Sequence, residues 1–317
     1  MKHLIYLSSA ALALFLTACG NKDIEALPSD TVGLRITSEI QAGISADRIT
    51  VIPNDVAPWL SQILLLSGGD LYRTSAGGGK AQNVNGGDLK DMVGLMRKGE
   101  AGTALTLNQA GNLTALIEKD DEGRLARMNV SAKAESYDGF CQSSKAPSTK
   151  VIAFSKKTLF TLEIDYDGDD LMTVTQVGRE NLPKQITSCF IAGESVFALV
   201  DGQLYANGVE RGPLPSKTHG LTGISRETDP TLLYIQDNNI LTSLRAATPD
   251  TRRSVLIQDG LSVMGTASIK SVFATEDSLG TTFSEGAVIA QDATSGRLIL
   301  VSLPFARSTL SKQTITR

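Results

Sequence analysis

The chain has 317 residues and a formal net charge of −4 at pH 7; 41% of its residues are hydrophobic and only 5% are aromatic. This composition is typical of a globular protein with a large core, and the acidic balance argues against a nucleic-acid-binding protein. No long apolar run occurs after the N-terminus, so the sequence predicts no later membrane span.

The N-terminus has the pattern of a targeting segment. A weakly basic start precedes an apolar run from Leu4 to Phe15, which ends in Leu16-Thr17-Ala18-Cys19. This ending resembles the bacterial lipobox, whose cysteine is acylated and becomes the mature N-terminus; a simple cleaved signal peptide is the alternative. We predict a lipoprotein signal peptide at residues 1–18, lipidation of Cys19 and a polar tether at residues 19–30. Because Gly20 rather than aspartate follows the cysteine, we expect anchoring to the outer membrane, at its periplasmic face or at the cell surface.

Two short apolar stretches follow the tether, at residues 31–37 and 48–52. Each predicts a strand, and one of them is expected to complete the last blade, since a propeller closes by pairing both chain ends. Trp59, the only tryptophan, is expected to pack in the core. The stretch from Asp88 to Arg97 has the pattern of a helical turn or of a connector.

A strand–turn–strand pattern recurs six times along the chain. Each copy has two β-branched or leucine-rich runs joined by a polar turn, at Ile63–Arg73, Thr103–Leu116, Val151–Ile164, Ser195–Tyr205, Leu232–Leu244 and Phe283–Leu303. A spacing of roughly 40–50 residues is the period of a propeller blade. We therefore predict an all-β fold, a six-bladed β-propeller with four-stranded antiparallel blades, as one domain over residues 31–317.

Two cysteines remain besides the lipidated one. Cys141 and Cys189 lie 48 residues apart, which is one blade period, so they are expected at equivalent places in neighbouring blades. In an oxidising compartment they would form a disulfide, and two buried free thiols are the alternative.

The motifs of several catalytic classes are missing. His219 is the only histidine outside the signal peptide, so it cannot build a histidine-rich zinc site, and no G-x-S-x-G turn accompanies it. Gly77–Lys80 lacks the second glycine and the hydroxyl of a phosphate loop and predicts a hairpin tip. Asp165–Asp170 resembles a calcium loop without its final glutamate, so it is expected to cap a hairpin in solvent, with calcium binding there as the alternative.

Several segments together resemble the β-propeller phytases, which are six-bladed calcium-dependent phosphatases. Phe283–Asp292 is similar to that family's F-P-x-G-L-x-V-x-Q-D, Gln236–Asn239 resembles its Q-G-N-N turn, and Glu135–Cys141 resembles E-P-Y-G-x-C with one residue inserted. The order and spacing of these motifs extend over nearly the whole mature chain. The resemblance implies a ring of carboxylates that binds several calcium ions, which in turn hold phosphate and activate water.

Most of that carboxylate ring is replaced in this chain. Aligned acidic positions are occupied by Gly94, Thr187, Thr222, Lys270 and Phe273. The carboxylates that remain as candidate metal ligands are Asp55, Glu135 and Asp201, and the candidate phosphate contacts are Lys156, Lys157 and Lys270. Since calcium takes about six to eight oxygen ligands, three scattered acids do not predict a metal cluster. No resident cofactor is expected, and calcium is the one candidate.

The sequence leaves two candidate functions open. The first is a non-catalytic binding module, held on the membrane by its N-terminal lipid, with a protein or glycan as partner. The second is a calcium-dependent phosphomonoesterase, similar to a 3-phytase, acting on phytate or another phosphorylated small molecule. The lost acids favour the first function, and the spatial arrangement of Asp55, Glu135 and Asp201 separates the two.

Overall fold

The structure, a computed structural model, describes residues 30–84, 87–119, 124–133, 135–215, 217–225 and 229–311. The strands in its first part are β1 (Thr31–Arg35), β2 (Ser38–Ile40), β3 (Arg48–Ile52), β4 (Gln62–Ser67), β5 (Asp70–Ser75), β6 (Gln82–Asn83), β7 (Leu89–Leu95), β8 (Thr103–Asn108), β9 (Leu113–Glu118) and β10 (Leu125–Ala132). The next strands are β11 (Gly139–Phe140), β12 (Gln142–Ser143), β13 (Lys150–Ser155), β14 (Thr158–Asp167), β15 (Leu171–Asn181), β16 (Ile186–Ala192), β17 (Ser195–Val200), β18 (Gln203–Ala206) and β19 (Val209–Pro213). The last strands are β20 (His219–Ile224), β21 (Thr231–Ile235), β22 (Leu241–Arg245), β23 (Thr248–Gln258), β24 (Ile269–Thr275), β25 (Ala287–Asp292) and β26 (Leu298–Ser302), before helix α1 (Leu303–Ser311).

All six predicted strand–turn–strand segments form antiparallel hairpins. They are β4–β5, β8–β9, β13–β14, β17–β18, β21–β22 and β25–β26. Their alternating or continuous apolar runs lie on buried faces, which is why the pattern was visible in the sequence. The chain therefore has the predicted all-β fold, with the sheets in a propeller-like arrangement.

The blade count differs from the prediction. Within the described residues, four sheets of four or five strands are separate blades: β3-β4-β5-β6, β12-β16-β17-β18-β19, β1-β23-β22-β21-β20 and β2-β26-β25-β24. The remaining strands form one eight-stranded sheet in the order β11-β13-β14-β15-β10-β9-β8-β7. The physical reason is that the outer strands β10 and β15 pair in parallel, from Asn129 opposite Leu171 to Ala132 opposite Val174. Six separate four-stranded blades are therefore not observed.

The N-terminal closure also differs in detail. The strand that completes the last sheet is β2, which pairs with β26 from Ser38 opposite Leu300 to Ile40 opposite Leu298. The predicted stretch at residues 31–37 instead adds β1 in parallel to β23, and residues 48–52 begin the first sheet as β3. Residues 88–97 are not a helical turn, because Leu89–Leu95 is the buried inner strand β7.

The inner strands of the sheets lie side by side and run in the same direction. Arg48 on β3 contacts Asp91 on β7, and further along the same two strands the Gly94 amide donates to the Thr50 hydroxyl at 3.2 Å. Neighbours β20 and β24 show the same order, with the Ala274 amide donating to the Thr222 hydroxyl and, further along, the Ser225 amide donating to the Glu276 carboxylate. The ring of inner strands β3, β7, β11–β12, β16, β20 and β24 thus has one end where they all begin, called the upper rim here, and one where they all end, the lower rim.

The packing between inner strands leaves little room for side chains at some positions. A Cβ atom at position 94 would lie 1.7 Å from the Val51 carbonyl oxygen, so this close approach requires glycine. Gln142 on β12 extends across the ring and donates to the Ile49 carbonyl on β3 at 3.2 Å. The Gln142 side chain therefore joins two inner strands that are not neighbours, and the hydrophobic core lies in clusters between consecutive sheets.

Candidate functional site

The upper rim carries lysine–aspartate pairs. The nitrogen–oxygen distances are 2.9 Å for Lys270–Asp47, 3.7 Å for Lys90–Asp138, 2.7 Å for Lys184–Asp201 and 3.1 Å for Lys217–Asp237. The hydrogen bond that Lys184 donates to the Asp201 carboxylate raises the pKa of Lys184, in keeping with a charged pair. Such exposed pairs contribute little to stability, but they occupy carboxylates that a metal ion would otherwise use.

The structure separates the three predicted metal ligands. Asp201 follows the end of β17 at the upper rim, where it is bound to Lys184. Glu135, also near this rim, faces away from the ring, because the Gln176 amide of the outer strand β15 lies 3.1 and 2.6 Å from its two carboxylate oxygens. Asp55 follows the end of β3 at the lower rim and accepts a hydrogen bond from the Gly99 amide at 2.8 Å. These residues do not fit a shared calcium site.

The predicted phosphate contacts are also dispersed. The Lys270 ammonium is held by Asp47 at 2.9 Å and by the Ser45 hydroxyl at 2.8 Å, so its charge is already matched. Lys156 and Lys157 form the β13–β14 turn and use their carbonyl oxygens to accept from the Ile186 and Leu182 amides, both at 2.7 Å. No group of three or more His, Cys, Asp or Glu side chains among the described residues is arranged to hold a metal ion.

One acid near the upper rim is buried and has a structural partner. Asp91 forms an ion pair with the Arg48 guanidinium at 2.8 Å and accepts hydrogen bonds from the Phe140 and Met92 amides at 2.7 and 2.8 Å. Burial raises the pKa of Asp91, against the opposing effects of Arg48 and the two amides. This network connects three consecutive inner strands, and sequence analysis did not single it out because its members are far apart in the chain.

The two cysteines meet at the inner strands. Cys141, between β11 and β12, and Cys189, on β16, are both buried and are joined in a disulfide with a Cα–Cα distance of 4.5 Å. The bond crosses from the eight-stranded sheet to its neighbour.

The lower rim holds a large cavity. A cavity of about 1190 Å³ is bounded by the β16–β17 turn, by the ends of β20 and β24, and by one side of α1. Its polar lining includes Glu194, Ser225, Glu276, Arg307 and Ser308. A space of this size, with polar groups among apolar ones, has the character of a small-molecule site.

Glu276 is held at the wall of this cavity by several contacts. Its Oε1 atom accepts from the Ser144 hydroxyl at 3.1 Å and from the Ser225 amide at 3.0 Å, and the Arg307 guanidinium of α1 lies 3.8 Å away. Ser144 in turn is 2.9 Å from the Ser225 hydroxyl. Three separate parts of the chain therefore fix one carboxylate at the wall of the cavity.

The neighbouring Asp277 points inward instead. It is buried and accepts from the Ala146 amide at 2.8 Å and the Thr275 hydroxyl at 3.2 Å. Burial raises the pKa of Asp277, although these two hydrogen bonds and Lys145 oppose the effect. It is a structural acid at the floor of the lower rim.

Trp59 does not pack in the core as expected. It lies in a 3-10 turn (Pro58–Leu60) at the lower rim, and 68% of its side chain is exposed. A smaller groove of about 440 Å³ lies against it. The apolar local sequence gave no sign of this exposure, which depends on how the turn is held.

The predicted signal peptide, Cys19 and all but the last residue of the tether lie outside the described residues. No helix within the described ranges has the length and apolar character needed to cross a bilayer.

Comparisons with known proteins show the fold. No protein-family model matches the chain, and no curated protein matches it either. Among solved structures, the chain is similar to an auxiliary nutrient binding protein from Bacteroides thetaiotaomicron, with 10% identity, a TM-score of 0.52, and coverage of 81% of this chain and 68% of that one.

Two further structures align with lower scores. One is a chain in the S. cerevisiae assembly of a Dbp5 variant with Nup159, a Gle1 variant, IP6 and ADP, with 11% identity, a TM-score of 0.41, and coverage of 81% and 75%. The other is in the complex of BBS1N with ARL6DN, with 10% identity, a TM-score of 0.43, and coverage of 82% and 78%. At these identities the similarity concerns the fold alone, and together with the sheet arrangement the first comparison identifies a β-propeller.

Proposed function

We propose that this chain is a non-catalytic binding module that takes up a small polar molecule in the lower-rim cavity. The observation that carries the proposal is the Glu276 carboxylate, which Ser144 and Ser225 hold at the wall of a cavity of about 1190 Å³ beside Arg307. A ligand with one cationic or hydroxyl donor and one acceptor would match this pair. The similar Bacteroides protein is described as nutrient-binding, and a comparable role is compatible with this cavity.

The proposal includes an N-terminal lipid anchor. If Cys19 is acylated, the propeller, residues 31–317, would be tethered to the outer membrane through residues 19–30, at the periplasmic face or the cell surface. Cys19→Ser should abolish acylation and release the protein from the membrane fraction. A variant that still fractionates with the outer membrane through a lipid would contradict this part of the proposal.

We further propose that the eight-stranded sheet represents two blades fused along their outer edges, which would keep the six repeats of a phytase-like ancestor. The supporting observation is that both edge strands of this sheet, β7 and β11, belong to the inner ring. A calcium-dependent phosphomonoesterase is the alternative function, and it would require Asp201 to leave Lys184.

The binding role is tested with a thermal-shift panel of sugars, amino acids, nucleosides and carboxylic acids. A ligand of the cavity should raise the melting temperature of the native protein and of Asp201→Asn, but not of Glu276→Gln. The Glu276→Gln variant keeps an oxygen that can accept from Ser144 and Ser225, so it tests charge rather than folding. A shift that persists in Glu276→Gln and disappears in Asp201→Asn would place the site at the upper rim and refute the proposal.

A further inference from the structure

The groove beside Trp59 is a second concave surface, and it shares no lining residue with the proposed cavity. It lies on the first sheet between the Pro58–Leu60 turn and the β5–β6 connection. Its lining combines the indole of Trp59 with the side chains of Gln62, Arg73, Thr74, Lys80 and Gln82. No acidic residue is among the described residues that line it.

The exposed position of Trp59 is held by the scaffold. The Ala57 amide donates to the Asn54 side chain at 2.8 Å, and the Asn54 amide donates to the Ser61 hydroxyl at 3.0 Å. Ser61 is itself fixed by the Ser278 carbonyl at 3.0 Å. Gly280 then closes the back of the turn, since a Cβ at position 280 would lie 3.3 Å from the Trp59 Cα. The turn that presents Trp59 to solvent is thus fixed before a ligand binds, which lowers the entropic cost of binding.

The facing wall of the groove is polar and cationic. The Arg73 guanidinium donates to the side-chain oxygen of Gln82 at 2.9 Å, and the Gln62 side-chain amide donates to the Leu60 backbone carbonyl at 2.7 Å, so these side chains have defined directions. Lys80 is exposed and forms no ion pair with a described carboxylate, in contrast to the paired lysines of the upper rim. Gly78 and Gly79 also line the groove, and because glycine has no side-chain carbon, they leave room for a bulky ligand to reach the indole.

We propose that this groove binds an acidic saccharide. The axial C–H groups of a pyranose ring carry a partial positive charge and pack against the electron-rich face of an indole. A uronic carboxylate on the same sugar would lie within reach of a lysine that has no other described anion, and the ring hydroxyls match amide and hydroxyl partners such as Gln62 and Thr74. A neutral apolar ligand would gain no ion pair with Lys80, and a cation would be repelled by it.

The groove is separate from the lower-rim cavity, so an acidic saccharide bound beside Trp59 would be a second ligand, independent of the proposed function. The test of this proposal uses the intrinsic fluorescence of Trp59, which is the only tryptophan in the chain and therefore reports on the groove alone. Tetragalacturonate is titrated into the protein, with its fully methyl-esterified form as the uncharged counterpart. We expect a saturable change in emission with the acid and about tenfold weaker binding of the ester.

Two variants complete the experiment. Lys80→Ala should weaken tetragalacturonate about tenfold while its emission spectrum stays native, and Lys98→Ala, an exposed lysine outside the groove, should bind like the native protein. In calorimetry, Trp59→Ala should lose binding while Glu276→Gln keeps it, which separates this site from the cavity. Equal binding of acid and ester, equal binding by Lys80→Ala, or no emission change at millimolar concentration would overturn the proposal.

Discussion

The two rims of the inner ring differ in how their charges are used. At the upper rim, lysines and aspartates neutralise one another within and between sheets, as in Lys270–Asp47 and Lys184–Asp201. At the lower rim, Glu276 is fixed beside a cavity, Trp59 is exposed beside a groove, and Lys80 has no described acidic partner. Two of the three acids that the resemblance to phytases implies as metal ligands, Glu135 and Asp201, lie near the upper rim, whereas the two concave surfaces described above lie at the lower rim.

This difference shows why a residue type alone does not predict a site. Asp201 and Lys270 are of the right chemistry for metal and phosphate, but each is already satisfied by a neighbour. At position 94, where the resemblance implies an acid, the approach of Val51 leaves no space for any side chain. The positions aligned with the carboxylate ring are thus used for charge balance at the upper rim and for close packing near the lower ends of the inner strands.

The largest predicted effect is the loss of stability on removal of the disulfide in the ring of inner strands. The Cys141–Cys189 disulfide closes a loop with a sequence separation of 48 residues, for which the chain-entropy relation gives about 4 kcal/mol of stabilisation. We expect Cys141→Ala/Cys189→Ala to lose several kcal/mol in urea unfolding, and a reducing agent to destabilise the native protein but not this variant. Equal stability with and without reductant would show that the bond does not fasten the two sheets.

A second large effect is expected from the buried acid of the upper part of the ring. Asp91→Ala removes the partner of Arg48 and the acceptor of the Phe140 and Met92 amides, so the free energy of unfolding should fall by about 3 kcal/mol. Asp237→Ala, in an exposed pair with Lys217, is the matched control and should change it by less than about 0.5 kcal/mol. Similar losses of unfolding free energy in both variants would show that the buried Asp91 network stabilises the fold no more than an exposed rim pair does.

The hairpins of this fold could be predicted from sequence because their signals are local. Apolar runs such as Val151–Ile164 are interrupted by turn residues, and both features act within about ten residues. The closing strand β2 could not be predicted, since Ser38–Ile40 is only three residues long and its partner β26 lies at the other end of the chain. The fusion of two repeats through β10 and β15 likewise depends on edges that meet only in three dimensions.

The candidate sites were less predictable than the fold. Trp59 has apolar neighbours in sequence, and its exposure is decided by the turn that the Asn54 and Ser61 side chains hold and by the approach of Gly280. Glu276 gains its role from Ser144, Ser225 and Arg307, which lie on three other segments. Contacts between residues that are far apart in the chain leave no periodic pattern in the sequence, so the sequence did not predict these sites.

A smaller effect is expected at the lower rim, where the free energy of unfolding should depend on pH through the buried Asp277. Because burial raises the folded-state pKa of Asp277, the folded state binds this proton more tightly than the unfolded state does. This stabilisation is complete below the ordinary carboxyl pKa of about 4 and is lost as the pH rises through the folded-state value. Asp277→Asn, which keeps an acceptor for Ala146 and Thr275, should therefore be more stable than the native protein at pH 7, with the difference fading towards pH 4.

Urea unfolding of both proteins at several pH values measures this difference. A variant that is less stable at pH 7, or an advantage that grows on acidification, would show that the Asp277 carboxylate is favoured in its ionised form.

The most direct test of the difference between the rims is phosphate release from phytate, with calcium and with a chelator, by the purified mature protein. Because the upper-rim acids are paired with lysines or turned away from the ring, we predict no calcium-stimulated release. Thermal melts in the same two buffers should agree, since a metal that does not bind the native state cannot stabilise it. Turnover that disappears with the chelator and in both Asp201→Asn and Glu135→Gln would contradict the account and establish the upper rim as a working metal site.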